Sequence, residues 1–128
     1  LKIQGGAARV RLVGWSGGGT MAAALAGSRD DVAGLVTFAA PLDVAGWTAA
    51  HDLSPLPLAD AVRWLAATAP TVPQIHYLGE DDRTVDAAAG LATARRLGVP
   101  ADVVKEAHDC CWSRRTAQAA ARLGRPSP

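Results

Sequence analysis

No apolar run in the 128 residues approaches the length a helix needs to cross a bilayer, so a membrane-spanning helix is not expected. Charge of one sign is equally scarce. Thirteen Lys and Arg face twelve Asp and Glu, for a formal net charge of +1, and neither sign forms a long run. The electrostatic footprint of a nucleic-acid or membrane-surface binder is therefore missing, and the expected partner is a small molecule or another protein. Cysteine is nearly absent. Cys110 and Cys111 are adjacent, which excludes a framework of long-range disulfides within the chain. It leaves open a vicinal bridge, a partner in another segment, or two small buried thiols.

The opening residues, Leu1 to Gly6, lack the charged and apolar regions of a signal peptide, but the chain begins with Leu rather than Met. An upstream portion is expected, and the compartment stays open. There is no internal repeat and no linker, so residues 1–128 are expected to form part of one domain. Cofactor motifs are missing too. Gly19-Thr20 has no Lys for a phosphate loop of the Walker type, and Met21-Ala22 stands where a dinucleotide fingerprint requires glycine. His108, Asp109, Cys110 and Cys111 are metal-capable types, yet consecutive residues cannot all converge on one ion. No metal and no organic cofactor is expected.

With 49% hydrophobic residues, the chain has the material for a real core. Ala8–Val13 reads as a strand, and Thr20–Ala26 as a helix of small residues closed by Gly27-Ser28. Val32–Ala40 reads as a second buried strand stopped by Pro41. Strands joined through a helix in this way pair in parallel. Residues 42–73 carry one amphipathic piece, Leu58–Ala66, inside a long connection that is either a short cap over a site or a plain crossover. Pro73–Leu78 is the third strand. A helix from Ala87 to Leu97 ends at Gly98 and Pro100, Ala101–Glu106 is the fourth strand, and a last helix runs to about Leu123 before a frayed tail. The expected fold class is α/β: a parallel sheet of about four strands with flanking helices.

The chemistry concentrates in three turns. Gly14-Trp15-Ser16-Gly17-Gly18 joins the first strand to the first helix, and its G-x-S-x-G spacing is that of a nucleophile elbow. There a serine sits on a turn too sharp for neighbours with side chains. The bland alternative is a glycine-rich turn in which Ser16 caps the helix. Asp82 lies in the acidic turn after the third strand and His108 in the turn after the fourth. All three fall past the carboxyl ends of parallel strands, on the edge where open α/β sheets bind ligands. Their order, Ser then Asp then His, suits a triad: Ser16 attacks, His108 takes and returns the proton, and Asp82 orients the imidazole. The Gly17 N–H, at a helix start directly after the nucleophile, supplies one oxyanion donor. Trp15, Asp43 and His51 are candidates for substrate contact because they sit at the elbow, just after a strand end, and in the long connection.

These pieces resemble the carboxyl-terminal half of an α/β-hydrolase. Four segments carry the resemblance: L-V-G-W-S-G-G-G, G-L-V-T-F-A-A-P-L-D, Y-L-G-E-D-D-R-T-V and A-H-D-C-C-W. The family's G-x-x-D-x-x-V falls on Gly79, Asp82 and Val85, which selects Asp82 over Asp81; Asp86 follows where the family usually has proline. The H-x-C-C-W ending is similar to that of a poorly characterised group of bacterial hydrolases. The resemblance implies a serine hydrolase for esters or related acyl compounds. It also implies missing strands upstream and a missing loop with the second oxyanion donor. A fragment of that kind is expected to be weakly active alone and prone to self-association through its open sheet edge. The rival classes are a non-catalytic binding module built on the same sheet, and an acyltransferase.

Overall fold

The computed structural model describes residues 8–56, 61–68 and 71–124. In chain order the elements are β1 (Val10–Trp15), α1 (Gly17–Ser28), β2 (Val32–Phe38), α2 (Val44–Ala50), α3 (Ala61–Thr68), β3 (Gln74–Gly79), α4 (Ala87–Leu97) and β4 (Ala101–Val104). A 3-10 turn at Trp112–Arg115 then leads into α5 (Thr116–Arg122). The four strands form one parallel sheet in the order β1-β2-β3-β4. Each consecutive pair is joined through a helix, which is the connection parallel pairing requires.

Side-chain alternation along β2 divides the core into two layers. Leu35 packs with Ala22, Ala23 and Ala26 of α1, Leu65 of α3 and Ala94 of α4 on one face. Val36 and Phe38 pack with Ile75, Tyr77, Trp112 and Ala119 on the other, under the 3-10 turn and α5. The result is a three-layer α/β/α arrangement. β3 is buried along its whole length, and His76 there is fully enclosed: its Nδ1 accepts from Thr37 Oγ1 at 2.7 Å and its Nε2–H donates to Gln74 Oε1 at 2.9 Å. Burial lowers its pKa to about 4, so the ring is a neutral core group.

Register sets the functional edge. Trp15 pairs with Phe38 and Phe38 with Tyr77, so β1 and β2 end together, while β3 and β4 run two residues further to the Gly79–Val104 pair, all pointing the same way. The turns carrying Ser16, Asp82 and His108 therefore leave the sheet on the same side.

Several boundaries differ from the sequence expectation: β1 runs Val10–Trp15 rather than Ala8–Val13, β2 ends at Phe38 rather than Ala40, and β3 is shifted by one residue to Gln74–Gly79. The helix expected from Thr20 begins at Gly17, immediately after Ser16. Three glycines are poor helix formers, but close packing overrides propensity here. A Cβ on Gly14 would lie 2.3 Å from the Gly18 carbonyl oxygen, and one on Gly19 would lie 2.6 Å from Ala40 Cβ. The connection holds a second helix, α2, nucleated by its N-cap: Asp43 Oδ1 accepts the Gly46 N–H at 2.9 Å. The amphipathic piece expected at Leu58–Ala66 lies partly outside the described residues, which show α3 from Ala61. Finally, β4 stops at Val104 rather than Glu106, because Glu106 turns its carboxylate inward to hold the loop that follows.

Candidate active site

β1 ends at Trp15 and the chain reverses at Ser16, whose backbone adopts φ 53°, ψ −130°. A positive φ on a residue with a side chain is strained by about 1–3 kcal/mol and persists only where surrounding contacts impose it. Those contacts are visible. Ser16 N–H donates to the Phe38 carbonyl at 2.8 Å, and the Gly19 and Thr20 amides return to the Ser16 carbonyl at 2.9 and 3.3 Å. Gly17 opens α1, so its N–H is among the amides that have no partner within the helix. Gly18 departs from the sequence expectation: a Cβ there meets nothing within 4 Å, so the steric demand for glycine falls on Gly14 and Gly19 instead.

The three turns converge. Ser16 Oγ lies 3.0 Å from His108 Nε2, and His108 Nδ1 lies 2.8 Å from Asp82 Oδ2. The Asp82 side chain is wholly buried and His108 is 17% exposed. Asp82's other oxygen accepts the Thr84 and Val85 N–H groups, both at 2.8 Å. A buried carboxylate with both oxygens engaged is held as a fixed acceptor, so His108 carries its proton on Nδ1 and offers a bare Nε2 to the serine hydroxyl. Gly79 allows the acid and histidine turns to meet, since a Cβ there would lie 2.4 Å from the Glu106 carbonyl oxygen. Asp86 caps α4 through the Ala89 N–H at 3.0 Å.

Glu106 braces the histidine loop. It is buried, accepts the Cys111 N–H at 3.0 Å, and pairs with Arg115 at 3.1 Å and Arg114 at 3.3 Å. The Cys111 N–H, then the two guanidinium groups, hold its carboxyl below the usual range. Of the states left open for the cysteines, the structure has the vicinal bridge: Cys110 and Cys111 are disulfide-bonded across a cis peptide bond.

The other candidates sit close by but in different circumstances. Asp43 and His51 both line a cavity of about 190 Å³ between α2 and the acid turn, together with Trp47, Thr84, Val85 and Asp86. Asp43 is already occupied as the α2 N-cap. His51 Nε2–H donates to the Thr84 carbonyl at 2.7 Å, and Trp47 Nε1–H donates to the same oxygen at 2.8 Å. Trp47 and His51 thus brace the backbone whose amides hold Asp82. Sequence reading missed that role for Trp47, although Trp47 and His51 are four apart and so share a helix face. Trp15 is half-exposed, its ring 5.3 Å from that of His108. Among the described residues no group of three or more His, Cys, Asp and Glu is placed to hold a metal, and no helix is long and apolar enough to cross a membrane.

Solved structures share the fold. The esterase domain of a Rhodothermus marinus protein superposes with a TM-score of 0.59 at 15% identity, over 77% of this chain and 52% of its own. A protein of the alpha/beta hydrolase superfamily from Xanthomonas campestris pv. campestris does so with a TM-score of 0.61 at 20% identity, over 95% of this chain and 59% of its own.

The chain has the α/β-hydrolase fold.

An acylaminoacyl peptidase from Pyrococcus horikoshii extends the set, with a TM-score of 0.59 and 13% identity over 91% of this chain and 22% of that one. The chain spans just over half the length of the first two structures. No protein-family model matches it, and no curated protein does. In this fold β1 runs into the turn carrying Ser16, and the turns carrying Asp82 and His108 follow β3 and β4.

Proposed function

We propose that this chain carries the nucleophile, acid and base of a serine hydrolase that cleaves carboxylic esters or related acyl compounds through an acyl-enzyme. One observation carries the reading: a serine on a strained strand-to-helix turn, within hydrogen-bond reach of a histidine whose other nitrogen meets a buried aspartate. Ser16 Oγ attacks the acyl carbon while His108 Nε2 takes its proton, and His108 returns that proton to the leaving alcohol. Water then adds to the acyl-enzyme with His108 as base, releasing the acid and restoring Ser16. Asp82 fixes the tautomer and stabilises the imidazolium, and the Gly17 N–H faces the developing oxyanion. Asp43, His51 and the half-exposed face of Trp15 are proposed as the substrate side of the site, the first two through the cavity beside the acid turn.

Gly17 is the one oxyanion donor assigned. Lack of a second typically costs about 2.7–4 kcal/mol of transition-state stabilisation, so turnover by the 128-residue chain alone is expected to be slow. Covalent capture is the sharper test, since it needs only an activated serine. A fluorophosphonate probe is expected to label this chain once, on the peptide containing Ser16, and Ser16→Ala is expected to abolish the label. Labelling elsewhere, or none at Ser16, rejects the reading.

Self-association is proposed on the same footing. Among the described residues β1 is an edge strand, its Val13 is 62% exposed, and Met21 and Leu25 of α1 are exposed as well. An apolar unpaired edge is a template for another strand. Sedimentation velocity is expected to show concentration-dependent association that Val13→Lys suppresses. A monomer at every concentration would refute it.

A further inference from the structure

The carbonyl oxygen of His108 accepts two indole protons, from Trp15 Nε1 at 2.7 Å and from Trp112 Nε1 at 2.9 Å. A carbonyl oxygen has two lone pairs, and both are filled here. The two donors differ in kind. Trp112 is four residues beyond His108, is buried, and packs against Phe38 with ring centroids 5.6 Å apart, so it belongs to the core that closes the loop. Trp15 is 93 residues away in sequence and 48% exposed. Its ring contributes comparatively little to the core, but its N–H ties the histidine loop to the strand that ends in Ser16.

We propose that Trp15 is a positioning residue for His108, its indole N–H holding the base loop at a fixed distance from the nucleophile. The inference rests on the serine-hydrolase reading above and deepens it. The other bond between the elbow and this loop is the Ser16–His108 hydrogen bond itself, which is consumed when the proton moves and Oγ becomes acylated. The Trp15 bond lies outside the proton path and survives that step. It therefore keeps the imidazole over the acyl carbon when the serine hydroxyl no longer can. Asp82 fixes the ring from the Nδ1 side and Glu106 braces the loop at Cys111, but neither is attached to β1. An indole suits the task because it donates without accepting and moves about only two side-chain torsions. The role belongs to the indole N–H and is additional to the substrate side proposed for the ring face, and the two roles have different kinetic signatures.

The test compares fluorophosphonate labelling of Ser16 in the wild-type chain, Trp15→Phe and His108→Ala, with the rate measured as a function of probe concentration. Trp15→Phe keeps an aromatic ring beside His108 and removes the donor. The expected result is a fall of about tenfold in the maximal labelling rate, equivalent to ~1.4 kcal/mol. The half-saturating probe concentration and the thermal midpoint should stay unchanged. The downfield proton resonance of His108 Nδ1–H should broaden in Trp15→Phe as the loop loosens. His108→Ala should lose far more. Wild-type labelling by Trp15→Phe beside a slow His108→Ala overturns the positioning role alone. Wild-type labelling by His108→Ala overturns the hydrolase reading and this inference with it. A loss confined to half-saturation makes Trp15 a substrate contact alone, with no positioning role, and a loss matched by a fall in thermal midpoint makes it structural; either outcome overturns the proposal.

Discussion

His108→Ala is expected to slow labelling of Ser16 by about four to six orders of magnitude, to the level of a serine with no base. The size follows from the chemistry. A serine hydroxyl is a weak nucleophile at neutral pH, and the group placed to accept its proton is Nε2 of His108, 3.0 Å away. Asp82→Asn should cost about 10⁴-fold while leaving the fold intact. An amide in place of the carboxylate can turn its NH₂ toward His108, which then protonates on Nε2 and presents no acceptor to Ser16. The Thr84 and Val85 amides, which donate to Asp82 Oδ1, would be satisfied by the amide oxygen, so stability should change little. Stopped-flow labelling alongside thermal melts checks both variants. Retention of rate in Asp82→Asn would mean that the 2.8 Å contact to Nδ1 does not set the tautomer.

Gly14→Ala should do the opposite, destroying the fold through a residue that takes no part in the chemistry. The added Cβ would lie 2.3 Å from the Gly18 oxygen and 2.6 Å from both the Gly18 carbonyl carbon and Gly19 Cα. All three are backbone atoms, so no flexible side chain can yield. Relief requires moving the start of α1 away from β1, which also breaks the elbow. Overpacking into rigid surroundings costs upwards of about 1–3 kcal/mol, and a chain of this size loses several degrees of thermal midpoint per kcal/mol. A drop of about 10 °C or insoluble expression is expected. Gly18→Ala is the control: its Cβ meets nothing within 4 Å and it lies within a helix, so it should be neutral or stabilising by up to about 1 kcal/mol. Equal damage from both substitutions would refute the steric account of the elbow.

The contrast between the two glycines shows how far a pattern can be read. G-x-S-x-G marks Gly14 and Gly18 alike, yet only the first is pressed against another backbone, and the pressure on the helix side falls on Gly19 through Ala40. The pattern counts positions along the chain, whereas the clash depends on where α1 crosses β2. Asp43 shows a second kind of limit. Its place after a strand end suggests a ligand contact, and the Gly46 amide three residues on adds an N-cap role that strand-end reasoning does not reveal. α2 itself went unread because seven residues with Gly46 at their centre give too little periodicity to separate from loop.

What the sequence determined by itself was the alternation of apolar strands and helices, hence a parallel sheet, and with it the edge on which Ser16, Asp82 and His108 emerge. Those features follow from local patterning and from the connection rule for parallel strands, neither of which needs coordinates. Tertiary structure decided everything that depends on register and direction: that Trp15 and Phe38 end level with Tyr77 while β3 and β4 run two residues further, that the three turns meet at hydrogen-bond distance, and that two tryptophans far apart in sequence share one carbonyl. Hydrogen bonds are directional and short-ranged, and a side chain finds its partner only after the backbone has brought the two within about 3 Å.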